Sequence, residues 1–284
     1  MRRSLLLLSL FSLSVYGQRL PQVNFNHFYL VIDSSDLSAI KNSAFLKNEF
    51  AATITRTTTA ENGETWTGTY MQGVNNYFEI FDSSGGGLPL GNAGVALSVD
   101  RIGEIKMLNS ALAKKYQTEI HLREKQYADK KIPWFTSLGI KDSVFDSISH
   151  IEFWIMEYKQ EYFDYNHLKV DNKKLTRINY LRPYDKERKN KILKRFTGIT
   201  FNATEEEQNV FSDFLLSCGF RKINDSSFVS PENFTIHFNR KKADDRYAVA
   251  FAEFESNISR TDTVKITDNI QVQFKNHTGK LIFK

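Results

Sequence analysis

From residue 25 to residue 33 apolar and polar positions alternate with a period of two, which sets Phe28, Leu30 and Ile32 on one face of a strand and His27, Tyr29 and Val31 on the other. Ser34, Ser35 and Asp36 follow as N-cap candidates, and Leu37, Ile40 and Ala44 recur at helical spacing up to about Phe50. Three runs of β-branched and aromatic residues come next, at 52–59, 65–72 and 77–82, divided by turns at Glu61-Asn62-Gly63-Glu64 and Gly73-Val74-Asn75. The pattern predicts a βαβββ module.

The same order begins again after a glycine-rich connection at 83–91, which lacks the Gly-Lys-Ser/Thr ending of a phosphate loop. A strand at 94–100 leads into a helix with Ile105, Leu108, Leu112 and Tyr116 on one stripe and Asp100 as its expected cap. Strands at 119–123, 134–138 and 149–158 complete this second module. In the last of them Ile151, Phe153 and Ile155 oppose His150, Glu152, Trp154 and Met156.

A third module follows, with a strand at 198–202 and a helix opened by the capping box Thr204-Glu205-Glu206-Glu207. Val210, Phe211, Phe214, Leu215 and Cys218 form its apolar stripe, and Gly219 suits the position just past its end. Strands at 220–223, 227–230 and 233–239 come after it. Further strands at 247–255, 263–267, 270–275 and 280–283 have no helix between them, so a fourth module has lost its helix. The expected class is α+β, built from repeated βαβββ modules.

The ends and the charge change this picture in two places. Met1-Arg2-Arg3 and the apolar run from Leu5 to Tyr16 read as a signal peptide over residues 1–17, which predicts an exported protein, periplasmic or extracellular. The run is shorter than the roughly 20 residues of a spanning helix. The single cysteine, Cys218, leaves no lipoprotein anchor site and no internal disulfide, and its place on a helix stripe predicts burial rather than nucleophilic chemistry.

Removal of Arg2 and Arg3 lowers the net charge from +5 to +3, yet residues 169–195 hold eleven basic side chains against three acidic ones. This stretch is expected to be a solvated basic linker over residues 167–197, between a first domain at 18–166 and a diverged second at 198–284. Its competing reading, a grip on an anionic polymer, is set below the linker, so no nucleic-acid partner is expected. The chain also lacks Gly-x-Ser-x-Gly, Cys-x-x-Cys, His-Glu-x-x-His and dinucleotide fingerprints.

A repeated βαβββ unit whose first strand opens Asn26-His27 and whose last reads Tyr77-Phe78-Glu79-Ile80-Phe81 resembles the vicinal oxygen chelate superfamily, which includes glyoxalases, bleomycin-resistance proteins and extradiol dioxygenases. The resemblance covers residues 23–100 in sequence and is architectural beyond them. It implies paired modules forming an incomplete barrel around a cleft, with metal ligands from the first and last strands of each module. Carried onto this chain, it names His27, Glu79 and Glu152, with His150 as substitute, and finds only Gly94 or Val95 at the fourth position.

Such a set would hold Fe, Mn or Zn and polarise a substrate oxygen. Tyr29, Trp66, Tyr70, Tyr77 and Trp154 are the expected ligand-binding aromatics, or equally core filling between sheets. Without a metal, His27 and Glu79 are a buried structural pair. The functions in play are small-molecule binding of the bleomycin-resistance type, a metal-dependent lyase, isomerase or dioxygenase, and an interaction scaffold.

Overall fold

The computed structural model describes residues 20–60, 62–85, 88–141, 149–170 and 174–284. The expected signal peptide, and part of the glycine-rich connection, lie outside them.

Two sheets are built from the repeats. In the first, β1 (Asn24–Ile32), α1 (Ser34–Asn42), β2 (Ala52–Thr59), β3 (Thr65–Gln72) and β4 (Tyr77–Asp82) form one βαβββ module. Strand β5 (Ala93–Ser98), α2 (Glu104–Leu112), β6 (Gln117–Tyr127), β7 (Lys130–Lys141) and β8 (Ile151–Tyr158) form the next. The strand order is β2-β3-β4-β1-β5-β8-β7-β6. Each module pairs its first strand in parallel with its last, and the modules join through the antiparallel β1–β5 pair. The sheet curls until its two edge strands meet at an Ala60–Lys125 bridge.

Three short helices follow, α3 (Gln160–Tyr165), α4 (Arg177–Leu181) and α5 (Asp185–Arg188). The second sheet contains β9 (Leu193–Ala203), α6 (Glu205–Ser217), β10 (Arg221–Asn224), β11 (Ser227–Val229) and β12 (Thr235–Arg240) as a third module. Strands β13 (Val249–Arg260), β14 (Thr263–Lys265) and β15 (Ile270–Phe283) continue without a helix. Its order, β10-β11-β12-β9-β13-β15-β14, again pairs first and last strands of the complete module in parallel. The class is α+β, with two curled sheets of repeated strand modules.

Alternation explains how the sheets meet. Phe28, Leu30 and Ile32 of β1 and Ile151, Phe153 and Ile155 of β8 belong to a core shared with Phe196 and Phe201 of β9 and with Phe211 and Phe214 of α6. Phe28 stacks on Phe78 at 4.3 Å and meets Phe196 edge-on at 5.3 Å. Burying each such ring contributes about 1.5–3 kcal/mol. Asn76, in the turn before β4, donates to the Phe196 carbonyl at 2.8 Å and accepts from its amide at 2.9 Å, fixing the two sheets by their backbones.

Two helices differ locally from the sequence reading and a third matches it. Helix α1 is capped by Asp33, whose carboxylate accepts from the amides of Ser35 and Asp36, and it stops at Asn42 before a separate π-helical turn at Phe45–Phe50. Asp100 does not cap α2: that helix starts at Glu104 after Gly103 at φ +90°, while Asp100 lies 3.6 Å from the buried Arg177 guanidinium. Helix α6 follows expectation, with a reciprocal capping box between Thr204 and Glu207 and Gly219 at φ +85° beyond its end.

The basic stretch is more ordered than a solvated linker. Arg177 and Arg188 are buried, Arg188 donating to the carbonyls of Gly73 and Leu181, and β9 begins at Leu193. Long basic side chains are therefore used as packing, a role that charge counting along a sequence does not separate from solvation.

Candidate functional site

The other face of the first sheet is concave. Its inner residues fall into cross-strand rows because neighbouring strands present side chains in register. One row runs Tyr70, Glu79, Tyr29, Gly94, Glu152, and the next runs Gln72, Tyr77, His27, Ala96, Trp154.

One half of this concavity is plugged. Tyr158 of β8 stacks on Tyr180 of α4 at 4.9 Å, and Tyr162 and Phe163 of α3 join them in a second apolar cluster. Arg56 pins the plug, donating to the hydroxyls of Tyr180 at 3.1 Å and Tyr184 at 3.3 Å while its guanidinium lies 4.8 Å over the Tyr70 ring.

The other half stays open as a cleft of about 450 Å³ whose lining includes His27, Trp66, Tyr77, Glu79, Glu152 and Trp154. A larger cavity of about 740 Å³ near Arg240, Lys242 and Arg246 is bordered mainly by charged side chains at the surface, so the aromatic cleft is the better enclosed site.

His27 is held from three sides. Its ring stacks on Tyr77 at 4.4 Å and meets Trp154 edge-on at 5.6 Å, and Nδ1 lies 3.0 Å from Asn26 Oδ1. Because a carboxamide oxygen only accepts, Nδ1 carries the proton and Nε2 keeps its lone pair. Nε2 is 4.0 Å from Glu79 Oε1, beyond hydrogen-bond range. Burial pushes the imidazole down to about 3, so the ring is neutral across the physiological range.

Glu79 shifts the opposite way. Burial raises its carboxyl up to about 7, against the pull of Arg56 and the Tyr77 hydroxyl. Burial likewise drives the Tyr29 phenol far above its usual value, and the carboxylates of Glu152 and Glu79 drive it further.

The three residues named for a metal do not assemble into one set. His27 and Glu79 come together, whereas Tyr29 and Gly94 stand between Glu79 and Glu152 in their row. Among the described residues no three His, Cys, Asp or Glu side chains converge as an ion site. At the fourth position, a Cβ on Gly94 would lie 2.2 Å from the Tyr29 ring and 2.9 Å from Trp154, so an aromatic fills the space a ligand side chain would need. His150, the substitute, lies outside the lining, its amide donating to Glu207.

Of the five expected aromatics, Trp66, Tyr77 and Trp154 line the cleft. Tyr29 packs between Phe81 and Trp154, and Tyr70 lies beneath Arg56. Sequence reading missed Trp134, Arg123, Glu124 and Glu64, which also line it. The β6–β7 register shifts between Arg123 and Glu124, so two consecutive residues reach one cleft where strict alternation would send them to opposite faces. Cys218 is buried, and burial raises its thiol out of the reactive range.

No curated protein matches this chain. Among solved structures, a hypothetical protein from Staphylococcus aureus is 12% identical over 78% of this chain and 87% of its own, with a TM-score of 0.50. A xylose isomerase-like TIM barrel/4-hydroxyphenylpyruvate dioxygenase fusion protein is 13% identical over 79% of this chain and 33% of its own, with a TM-score of 0.38. The first likeness supports the fold and carries no activity with it. Residues 25–278 match a family described as a family of unknown function (DUF5829), and the chain belongs to that family.

Proposed function

We propose that this chain is an exported glyoxalase-like protein, of vicinal oxygen chelate type, that binds a small organic ligand in the cleft of its first sheet. The observation that carries the reading is the cleft itself, about 450 Å³ with Trp66, Tyr77 and Trp154 in its walls and His27, Glu79 and Glu152 among them. Sites for small molecules have roughly 300–1,000 Å³, mostly apolar walls and a few placed polar groups. Paired βαβββ modules around that cleft support the superfamily assignment. Export rests on the basic and then apolar order of residues 1–17.

A divalent metal fits this cleft poorly. An ion would find His27 Nε2 and Glu79 close together, with Glu152 set apart and Tyr29 filling the fourth position. Most sites that hold a catalytic transition metal offer three protein ligands, so a lyase, isomerase or dioxygenase reaction through a bound ion lacks its donor set here.

A thermal-shift screen of small aromatic and aliphatic compounds against the wild type and Trp154→Ala tests the binding reading. Compounds that stabilise the wild type are expected to lose their effect in the variant; stabilisation that survives Trp154→Ala unchanged would move the ligand elsewhere. Mild loading with iron, manganese or zinc tests the metal. Equal, substoichiometric content in the wild type and a His27→Ala, Glu79→Ala double variant is expected, and one bound equivalent in the wild type alone would restore the metal enzyme.

A further inference from the structure

We infer that the ligand of this cleft is an organic ammonium ion, a protonated amine on a small flat body. The inference rests on the small-molecule reading above and adds its chemical class.

Charge is the first reason. Among the described residues lining the cleft, the carboxylates Glu64, Glu124 and Glu152 stand against one guanidinium, Arg123, which is itself engaged with a partner, while burial keeps Glu79 partly protonated. Glu124 is half-buried, and Glu64 and Glu152 are exposed where they can draw a cation toward the cleft.

The walls are the second reason. Indole and phenol rings present a negative face that attracts cations. The first sheet already uses this attraction, with Arg56 seated 4.8 Å over Tyr70 and Lys125 seated 5.3 Å over Trp134. Among the described residues no Lys or Arg is seated over Trp66 or Trp154, and both indoles are half-buried in the cleft lining.

His27 supplies the third. With its proton on Nδ1 toward Asn26, Nε2 offers an unprotonated acceptor inside a cleft that is otherwise rich in acceptors. An N–H donor on a cation satisfies that lone pair. A carboxylate or phosphate would meet it, and the carboxylates of Glu64, Glu124 and Glu152, with like polarity.

Three ligands of one shape and different charge test this on the full-length purified protein: benzylamine, which is protonated at neutral pH, benzyl alcohol and benzoate. Binding is followed by calorimetry and by quenching of tryptophan fluorescence. Benzylamine is expected to bind about tenfold or more tighter than benzyl alcohol, with benzoate weaker than either. In Glu152→Gln, with the circular dichroism of the wild type, the preference for the amine should shrink to about threefold or less. Trp154→Ala should weaken amine and alcohol together.

Benzyl alcohol or benzoate binding as tightly as benzylamine would overturn the ammonium assignment and leave the cleft a small-molecule site. Saturable binding of none of the three to folded wild type would overturn both readings.

Discussion

Tyr29 on β1 and Gly94 on β5 are cross-strand partners, and the Tyr29 ring lies over the bare backbone of Gly94 in the volume a side chain there would take. Any larger residue at 94 displaces Tyr29 and, behind it, Trp154. Gly94→Ala is therefore expected to lower stability by about 1–3 kcal/mol, the range for overpacking a filled site. In a Tyr29→Ala background the same substitution should cost less, which a double-mutant cycle in guanidinium measures. Equal costs in both backgrounds would mean that Tyr29 is not what excludes the side chain.

The pair His27 and Glu79 makes opposite contributions to the pH dependence of folding. His27, lowered to about 3, is uncharged in the fold while the unfolded chain takes up a proton below about 6.5, so its share of stability is lost as pH falls from 6.5 toward 3. Glu79, raised to about 7, holds a proton that the unfolded chain has released, so its share is lost as pH rises from about 4.5 to 7. The groups facing Glu79 are His27 and Tyr29 from β1, Arg56 from β2, Tyr70 from β3, Tyr77 on its own strand and Tyr158 from β8.

Each slope reaches about 1.4 kcal/mol per pH unit, so the two cancel between roughly pH 4.5 and 6.5 in the wild type. Glu79→Gln should unmask a stability that climbs from pH 3 to 6.5, and His27→Gln one that falls from 4.5 to 7. Urea midpoints across that range give the answer; identical profiles for wild type and both variants would exclude the assigned shifts.

Glu207 does more than close its capping box. Its carboxylate accepts from the Thr204 amide at 2.8 Å and also from the His150 amide at 2.8 Å and the Ser149 hydroxyl at 3.1 Å, tying α6 to the start of β8. Thr204→Ala loses one cap bond and should cost about 1 kcal/mol. Glu207→Ala removes the part-buried bonds to Thr204, Ser149 and His150 together and should cost more, about 2–3 kcal/mol. Thermal midpoints check the order, and a Glu207→Ala effect no larger than that of Thr204→Ala would show the His150 link to be without weight.

Arg56 holds the plug in the half-barrel through Tyr180 and Tyr184. Replacement by Met keeps the apolar stem and removes both bonds, leaving two phenols to find other donors or acceptors. Amide exchange in α4 and the residues up to Arg188 should speed up by about tenfold or more, while β1 and β4 keep their protection. Unchanged exchange in α4 would assign the plug to ring packing alone.

Much of the fold is legible because the sheet faces carry different chemistry. The meander at 52–59, 65–72 and 77–82 appears as β2, β3 and β4 at those boundaries, since Asn-Gly and glycine-containing turns punctuate β-branched runs. The cleft face of β1 and β8 is legible for the same reason: His27, Glu152 and Trp154 alternate with the aliphatic core face. Other features depend on events that alternation does not record. Register shift at Arg123–Glu124 brings two neighbours to one cleft, and curvature together with the α3–α4 plug decides that Tyr70 is packed while Tyr77 is a wall. The Asp33 cap was one residue upstream of the candidates because hydroxyl and carboxylate are equally good caps and three of them run together.

The core that Phe28, Phe78 and Phe153 share with Phe196, Phe201 and Phe211 has a consequence for the chain as a physical object. Neither curled sheet owns a finished surface, because the outer face of each is the inner lining of the whole. The first sheet stands to the second as one subunit of an obligate heterodimer stands to its mate, with a covalent tether replacing concentration. Melting should accordingly be a single cooperative event, and a guest seated on Trp154 would be felt as added protection as far away as β15.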